Sequence, residues 1–379
     1  MATTTTPSDL QEVKYRRQYW QEYVRESGFA PYMGNNPMVP IHTCYEMTSG
    51  GKSLTIPLVG RLASQGVEGN TRLSGSEESL GKHTHSVTVQ FTRHAVELSK
   101  QDEHYDASNA REAVRPLLKE WSTSMLRDRI IDGLCSVTFS GAANSVFTGM
   151  TPLVSGRNSA AAAAASNTWV AANSDRVLFG KLASNYNATF ATALGNIDNT
   201  DDKLTASAVS TMKRIAKTAD PHIRPIRTSS EDGREYYMMF AGSLPFRDLK
   251  NDSTIIANLR DARAREGNGM ERNPLFQDGD LIHDGVIIRE IPEIPVLSAV
   301  GASSINVGPV LLCGAQSVAV AWGQEPRFTA KKEDDYEFFS GIGIEELIGV
   351  NKIMRKHGVA GTFKDHGICS GFFAAVADA

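Results

Sequence analysis

Apolar and polar side chains alternate in two stretches of residues 52–99, one near each end of that segment. The apolar positions of the two stretches are Leu54, Ile56 and Leu58 in the first and Val87, Val89 and Phe91 in the second. A period of two is typical of a β-strand with one buried face, so the pattern predicts a β-hairpin. Pro57 lies inside the first strand and cannot donate a ladder hydrogen bond, which predicts an edge position for that strand.

A long polar connection, residues 61–82, joins the two predicted strands. Its charged side chains are Arg61, Glu68, Arg72, Glu77, Glu78 and Lys82. Connections of this length are unusual inside a compact domain and are often functional. An isolated two-stranded ribbon is also marginally stable in water. The sequence therefore predicts that something outside the domain supports this hairpin.

Near the N-terminus, residues 11–27 have the spacing of a short aromatic helix that Gly28 would end. The aromatic residues of this stretch are Tyr15, Tyr19, Trp20 and Tyr23. Such a stripe needs a surface to cover. Two interpretations stay open: the helix packs on the chain's own body, or it is an arm that docks on a neighbouring subunit.

Apolar residues recur at three- and four-residue steps over residues 110–134, which predicts a long helix. Asn109 and Glu112 have the spacing of a capping box at its start. Pro116 falls inside the predicted helix and should bend it, unless the helix begins one turn later.

The remaining pattern is mixed. Residues 140–200 are rich in Ser, Ala, Asn and Gly, which predicts a loop-rich insertion whose alanine tract, 160–165, forms one or two helical turns. Further predicted elements are a helix capped by Thr205 and stopped by Pro221, a strand at 236–241, a helix at 253–265, a strand at 285–291, a buried segment at 310–321, and strands at 327–339 and 342–354. Because no regular βαβ rhythm is present, the fold class is predicted to be α+β.

Composition excludes several classes of protein. With 379 residues, 41% of them apolar and 22% charged, the chain is long enough for two or three packed lobes. Its net charge of −4 argues against a protein that condenses nucleic acid by charge. Four scattered cysteines predict buried, reduced thiols. Neither a membrane-spanning apolar run nor a signal-peptide pattern is present, so folding in a reducing cytoplasm is expected.

Candidate chemistry is sparse. His83 and His85 would share one face of a strand and could hold a zinc or nickel ion, but a site needs further ligands, and solvated hairpin residues are the better interpretation. The acidic run 102–106 could be an acid–base cluster, although negative side chains are favoured before any helix N-terminus.

Three other motifs have ordinary structural explanations. The motif GIGIE at 341–345 lacks the third glycine of a dinucleotide-binding turn, so a tightly packed strand explains it better. Residues 267–280 offer oxygen ligands without the spacing of a calcium loop. Lys213, Arg214 and Lys217 form a basic stripe that is most simply a solvated helix face. We therefore predict no catalytic, metal-binding or cofactor-binding residues, and no cofactor.

The order of these elements resembles the Hong Kong 97-type coat fold of tailed phages, and several short stretches of sequence are most similar to the N4-like phage major coat family. The stretches that carry this resemblance are 25–27 (RES), 54–69 (LTIPLVGRLASQGVEG), 75–80 (GSEESL), 91–98 (FTRHAVEL), 249–252 (LKND), 273–276 (NPLF), 285–290 (GVIIRE), 312–316 (LCGAQ) and 349–352 (GVNK). They span most of the chain. The resemblance does not place the segment 140–200.

The resemblance implies a division of the chain. The implied parts are an N-terminal arm (1–50), an extended loop (51–99), the spine helix of a peripheral domain (100–140), a loop-rich insertion (141–204), an axial domain (205–300) and the remaining strands of both domains (301–379). The extended loop, with its six charged residues, and the aromatic arm would both contact neighbouring subunits.

The resemblance also implies a structural function. A major capsid protein of this kind would form hexamers and pentamers in an icosahedral shell around packaged double-stranded DNA, which it would contact only weakly. Its partners would be a portal and possible scaffolding and decoration proteins, with no membrane, and assembly would occur in the host bacterial cytoplasm. No cross-linking pair and no cleavable pro-segment are predicted. The alternatives are a cargo-holding nanocompartment shell with the same fold and a metal-dependent hydrolase that uses His83 and His85.

Overall fold

A computed structural model describes residues 28–60, 62, 64–101, 110–139, 150–152, 160–227, 235–257, 280–331, 338–356 and 363–378. The strands of the first half are β1 Met33–Gly34, β2 Ile41–Cys44, β3 Ser53–Val59, β4 Lys82–Thr88, β5 Gln90–Ser99, β6 Ser136–Phe139, β7 Met150–Pro152 and β8 Val177–Phe179. Those of the second half are β9 Ile226–Arg227, β10 Glu235–Ala241, β11 Asp280–His283, β12 Val286–Glu290, β13 Val307–Cys313, β14 Val318–Lys331, β15 Phe339–Lys352, β16 Met354–Lys356, β17 Phe363–Asp365 and β18 Ile368–Ala374. The α-helices are α1 Ala110–Leu134, α2 Ala160–Ala172, α3 Phe190–Gly195, α4 Ala206–Thr218 and α5 Ser243–Lys250.

Two larger sheets organise the described residues, which makes the fold α+β as predicted. The first sheet has the order β1-β2-β14-β15-β5, and the second has the order β11-β12-β10-β13-β18-β8, with β9 also pairing with β10. The strand pairs β3–β4, β6–β7 and β16–β17 form three small two-stranded sheets. The long strands β14 and β15 run antiparallel as the backbone of the first sheet.

Helix α1 covers one face of the first sheet. It buries Val114, Leu118, Leu126, Ile130 and Leu134 in the same cluster as the inward residues of β14 and β15. The prediction of a helix over 110–134 is confirmed, and the alternative start one turn later is wrong, because Pro116 lies within the helix. Asn109, the predicted cap residue, lies outside the described residues.

A buried ion pair fixes α1 against this sheet. Arg129 of α1 donates to Glu346 of β15 at 3.0 Å, and Ser122 donates to the same carboxylate at 3.3 Å. Burial raises the pKa of Glu346, while the adjacent Arg129 and the hydroxyl of Ser122 oppose that rise. Removing either partner would leave a buried charge uncompensated. The helix and the sheet therefore form one rigid platform.

The prediction of a loop-rich insertion at 140–200 is wrong for its described second part. Helix α2 has 13 residues rather than one or two turns, and it buries Trp169 and Val170. Strand β8 pairs in parallel with β18, where Phe179 stacks on Phe372 with ring centroids 5.2 Å apart. An alanine run has high helix propensity but no apolar stripe, so periodicity does not reveal such a helix.

Most other predicted elements are confirmed with shifted ends. Thr205 caps α4 by accepting from the N–H of Ala208 at 3.3 Å, and the helix ends at Thr218. Strands β10 and β12 lie close to the predicted 236–241 and 285–291. The segment 310–321 comprises the end of β13 and the start of β14. Residues 253–257 are helical, and the rest of that predicted helix lies outside the described residues. Helix α5 is not predicted by the pattern.

All four cysteines are buried and free of disulfides, as predicted. Burial raises the pKa of Cys135 to about 12 and that of Cys313 to about 12, so these thiols stay protonated. Among the described helices, none combines the length and the apolar character that a bilayer crossing requires.

Candidate assembly surface

The hairpin base, defined as strands β3 and β4, is antiparallel with seven residue pairs in register from Ser53–Thr88 to Val59–Lys82. Leu54, Ile56 and Leu58 point inward, as their alternation predicts, and join a cluster of apolar residues. The other members of this cluster are Met47, Val87, Val89, Ala319, Ala321, Leu347 and Ile353. The base is therefore supported by the chain's own body, on the face of the first sheet opposite α1.

The second strand of the hairpin is shorter than predicted. It ends at Thr88, and residues 90–99 form β5, which pairs with β15 in the first sheet. Phe91 therefore belongs to the sheet and not to the hairpin, which corrects the prediction of one ribbon over 52–99. Pro57 lies on an edge as predicted, because β3 pairs with β4 alone among the described strands.

Close backbone approach at Gly349 seats the base on the sheet. A Cβ atom at this position would lie 2.3 Å from the carbonyl oxygen of Thr88 and 3.1 Å from the side chain of Val87. Next to it, the side-chain amide of Asn351 donates to the carbonyl oxygen of Ser86 at 3.4 Å. Only glycine permits strand β4 to lie this close to β15.

The hairpin tip, defined as residues 60–81, begins where the N–H of Gly60 donates to the carbonyl oxygen of Gly81 at 2.7 Å. Beyond this point, side-chain hydrogen bonds replace the backbone pairing between the two arms of the hairpin. The Glu78 carboxylate accepts from the N–H of Ser64 at 2.7 Å, and Glu77 accepts from the N–H of Gly75 at 2.7 Å. These bonds give the tip a defined shape without a hydrophobic core.

The charged residues predicted to form a subunit interface divide into two groups. Glu77 and Glu78 make the backbone hydrogen bonds of the tip, although both are exposed. Glu68, Arg72 and Lys82 are also exposed. Arg61 lies outside the described residues. Their role in an interface stays a prediction.

Exposed apolar side chains in and beside the tip are the feature that the sequence interpretation missed. Leu62 and Leu73 are each 62% exposed, Val59 is 59% exposed and Leu80 is 50% exposed. Apolar groups concentrated on one projecting segment mark an interaction surface. The sequence contains these leucines inside an otherwise polar connection, but the prediction of an interface relied on the charged residues.

The open sheet face is the part of the first sheet, opposite α1, that the hairpin base leaves uncovered. On β5, Thr92 and His94 contact Arg129 and Trp121 of α1, so the alternating positions face the other way. The residues of the open sheet face are Phe91, Arg93, Ala95 and Glu97 on β5, Arg327, Thr329 and Lys331 on β14, and Gly341, Gly343 and Glu345 on β15. Phe91 is 62% exposed there.

Cross-strand ion pairs and glycines line the open sheet face. Lys331 bonds Glu97 at 2.8 Å, and Arg327 bonds Glu345. At Gly343 a Cβ would lie 2.9 Å from the hydroxyl oxygen of Thr329 and 3.2 Å from Ala95. The motif at 341–345 is thus part of a strand, as its weak match to a dinucleotide-binding turn predicted. Exposed aromatic rings such as that of Phe91 are common in protein interfaces.

The four aromatic residues predicted for the N-terminal arm, Tyr15, Tyr19, Trp20 and Tyr23, lie outside the described residues. The chain that follows them is anchored on the second sheet. Phe29 is fully buried, with its ring centroid 5.0 Å from that of Phe240, and Tyr32 lies 5.8 Å from the same ring.

The candidate chemical sites do not come together. The interpretation of His85 as a solvated hairpin residue is wrong: it is 1% exposed in the hairpin base, where burial and the nearby His366 lower its pKa to about 4. In the described ranges, no group of three or more His, Cys, Asp or Glu side chains could hold a metal ion. Lys213 of the basic stripe bonds Asp284 at 2.8 Å. Residues 102–106 and 267–279 lie outside the described residues.

The chain is similar to known proteins over nearly its whole length. The family described as phage capsid protein matches residues 3–372. The major capsid protein of Pseudomonas phage KPP25 is 26% identical over 356 residues, covering 90% of this chain and 89% of that protein. The cyanophage Pam1 capsid has a TM-score of 0.80 and 36% identity, covering 94% of each chain. The capsid of Ralstonia phage GP4, with a TM-score of 0.68 and 19% identity over 93% of this chain and 92% of that one, shares the fold.

Proposed function

The chain belongs to the phage capsid protein family, and from that premise we propose that each copy lays its hairpin tip on the open sheet face of an adjacent copy. It is a major capsid protein of a tailed-phage head shell, and its α+β fold is of the Hong Kong 97 type. The closer likeness to N4-like phages stays a prediction. What the proposal adds is how the copies hold each other.

The observation that carries the proposal is the exposure of Leu62, Leu73 and Leu80. Each side chain is at least half exposed, on a segment that projects beyond the body of the subunit. Burying a leucine is worth about 1.5 to 3 kcal/mol, and no described part of the same chain covers these three. A second copy can cover them, and Phe91 on its open sheet face gives a matching apolar surface.

Charge sets the register of this contact more than its strength. The tip carries both signs in Glu68 and Arg72, and the open sheet face carries Arg93 beside two cross-strand ion pairs. Exposed ion pairs contribute little affinity but disfavour wrong alignments. The apolar contacts then supply the free energy, and the charges select one alignment among several.

A contact between two different surfaces propagates around a ring, and repeated rings close a shell. We propose that such rings are the hexamers and pentamers of an icosahedral head, with α1 as the spine of a peripheral domain and residues 205–300 in an axial domain. The N-terminal arm, with Tyr15, Tyr19, Trp20 and Tyr23, would add a second contact to a neighbour. Both contacts would form only on assembly.

The remaining partners follow from the same role. The shell would enclose double-stranded DNA and contact it weakly, because the net charge is −4. A portal, scaffolding proteins and decoration proteins would act with it, and assembly would take place in the host bacterial cytoplasm. The role proposed is structural, without a catalytic reaction.

Two other hypotheses are weaker. A nanocompartment shell would differ in its content, an enzyme instead of DNA, and isolating assembled particles and identifying what they contain separates the two. A metal-dependent hydrolase would need His85 to meet an ion and water, but this side chain is 1% exposed beneath the hairpin base.

Deletion of residues 64–80 tests the proposal. The deleted segment lies between the two strands of the base and contains neither, so the variant should remain soluble and keep the circular dichroism spectrum of the folded subunit, but form no shells. A matched control replaces Thr71, Ser74 and Ser79 by Ala, which keeps the tip and its leucines. Intact particles of the deletion variant in negative-stain electron microscopy would overturn the proposal.

A further inference from the structure

Two histidines lie together in the seam beneath the hairpin base. His85 belongs to β4, is 1% exposed and stands opposite Ile56 on β3. His366 follows β17, and its backbone N–H donates to the carbonyl oxygen of Ile353, a member of the apolar cluster under the base. The Nδ1 atom of His366 is shielded from solvent. The two imidazoles are close enough for the charged form of His366 to disfavour that of His85.

The charged groups that face His366 are cations. Arg355 of β16, Arg176 and Arg224 all disfavour its protonation. The two carboxylates of this region already have cationic partners: Asp365 accepts from buried Lys352 at 2.9 Å, and Asp175 bonds Arg176 at 3.0 Å and Lys364 at 3.3 Å. A proton added to His366 would therefore enter a seam in which three arginines disfavour it.

Of the other elements around the base, β2 places one more histidine, His42, on this face of the sheet, where it pairs with Ala319. Strand β3, residues 53–59, contains no titratable side chain, and neither does the stretch 318–322 of β14. Glu46 lies in the turn that contributes Met47 to the cluster, but its side chain is exposed to solvent. On β15, Asn351 is neutral and Lys352 donates a hydrogen bond to Asp365.

We propose that this seam is an acid-sensitive latch, in which protonation of His85 and His366 releases the hairpin base from the first sheet and so loosens the shell. The base and the tip are one ribbon, so a base that leaves the sheet no longer holds its tip at a fixed angle. The effect on the shell rests on the proposed crossing of the tip; the release of the base does not.

The direction of the pH dependence follows from burial. Burial, and then the neighbouring His366, lower the pKa of His85 to about 4. Burial, and then the three arginines, lower the pKa of His366 to about 4. When the base is released, His85 regains its ordinary pKa of 6.5. The seated base is thus fully favoured above about pH 6.5 and loses stability as the pH falls toward 4. At pH 5 the change in the pKa of His85 shifts the equilibrium toward release by about 30-fold.

Hydrogen–deuterium exchange of residues 82–88 measures release directly. The full-length protein is examined from pH 7 to pH 4, once as assembled shells and once as dissociated subunits, with rates corrected for the intrinsic pH dependence of exchange. The variants are His366→Gln, the double variant His85→Gln with His366→Gln, and His222→Gln as a control, because His222 is exposed and lies outside the seam. Negative-stain microscopy follows the shells in parallel.

We expect protection of residues 82–88 to fall at least tenfold between pH 6.5 and 4.5 in the native protein and in His222→Gln, in subunits as well as in shells. Both variants that lack His366 should keep their protection to a lower pH. Unchanged protection in the native protein down to pH 4, or release of the His366→Gln variant at the native pH, would overturn the latch. Release in subunits while shells stay intact would support the latch and count against the crossing of the tip.

Discussion

The hairpin base and the hairpin tip are parts of one ribbon, but they differ in whether their apolar side chains are buried. The base has seven residue pairs in register between its two strands, and its apolar side chains are buried on its own subunit. In the tip, every residue from 68 to 81 is exposed, leucines included. The base therefore belongs to the folding of one chain, whereas we propose that a second chain covers the apolar groups of the tip. Changes in the two parts should separate folding from assembly.

Removing the apolar groups of the tip should have the largest effect. In the triple variant Leu62→Ser, Leu73→Ser and Leu80→Ser, each lost contact costs about 1 kcal/mol if half of the exposed leucine is buried between copies. About 3 kcal/mol per copy raises the concentration required for assembly by about 100-fold. Light scattering during assembly measures this concentration.

The free energy of unfolding of the same triple variant should stay within about 0.5 kcal/mol of the native subunit, because exposed side chains contribute little to folding. The Thr71, Ser74 and Ser79 alanine variant is the matched control, and it should assemble at the native concentration. Unimpaired assembly of the leucine variant would mean that the tip does not cross to another copy.

The base should respond in the opposite way. Leu58→Ala removes a side chain that is 8% exposed in the apolar cluster, and it should lower the free energy of unfolding by about 2 to 3 kcal/mol. Val59, the next residue, is 59% exposed, so Val59→Ala should change it by less than about 0.5 kcal/mol. Urea denaturation of dissociated subunits compares the two. Equal losses would show that the base is not seated by its inward face.

The contact between base and sheet can also be tested from the sheet. Gly349→Ala places a methyl group 2.3 Å from the carbonyl oxygen of Thr88, so β4 must move, at a cost of about 1 to 3 kcal/mol. Faster hydrogen exchange at residues 82–88 would report this movement. Gly195→Ala is the control, because no atom lies within 4 Å of the added carbon. Native exchange in the Gly349 variant would contradict the close approach.

The sequence predicted the base better than the end of the hairpin. Leu54, Ile56 and Leu58 alternate because one face of β3 is buried, and that pattern depends on local geometry alone. The same alternation runs from Val87 to Phe91 through the change from β4 to β5, so periodicity could not place the boundary. Which sheet a strand joins depends on distant partners, here β15, and not on its own pattern.

Helix α2 was hidden for a different reason. Its alanine-rich sequence has no polar side to contrast with an apolar side, and its burial depends on contacts with distant residues, such as that between Trp169 and Phe372, with ring centroids 6.4 Å apart. The candidate site was half predicted. The charged tip was visible as a long polar connection, but the open sheet face comes from β5, β14 and β15 and exists only in the folded chain.

Within the tip, the smallest expected effect is a difference in amide exchange between variants of two exposed glutamates. Glu78 accepts a hydrogen bond from the N–H of Ser64, so Glu78→Ala should free that amide and raise its exchange rate by up to about tenfold, for a loss of about 1 kcal/mol. Glu68→Ala removes a similar charge without such a bond and should change the rate less than twofold. Neither should lower the free energy of unfolding by more than about 1 kcal/mol. Equal exchange at Ser64 in both variants would show that the tip has no internal order before a neighbour covers it.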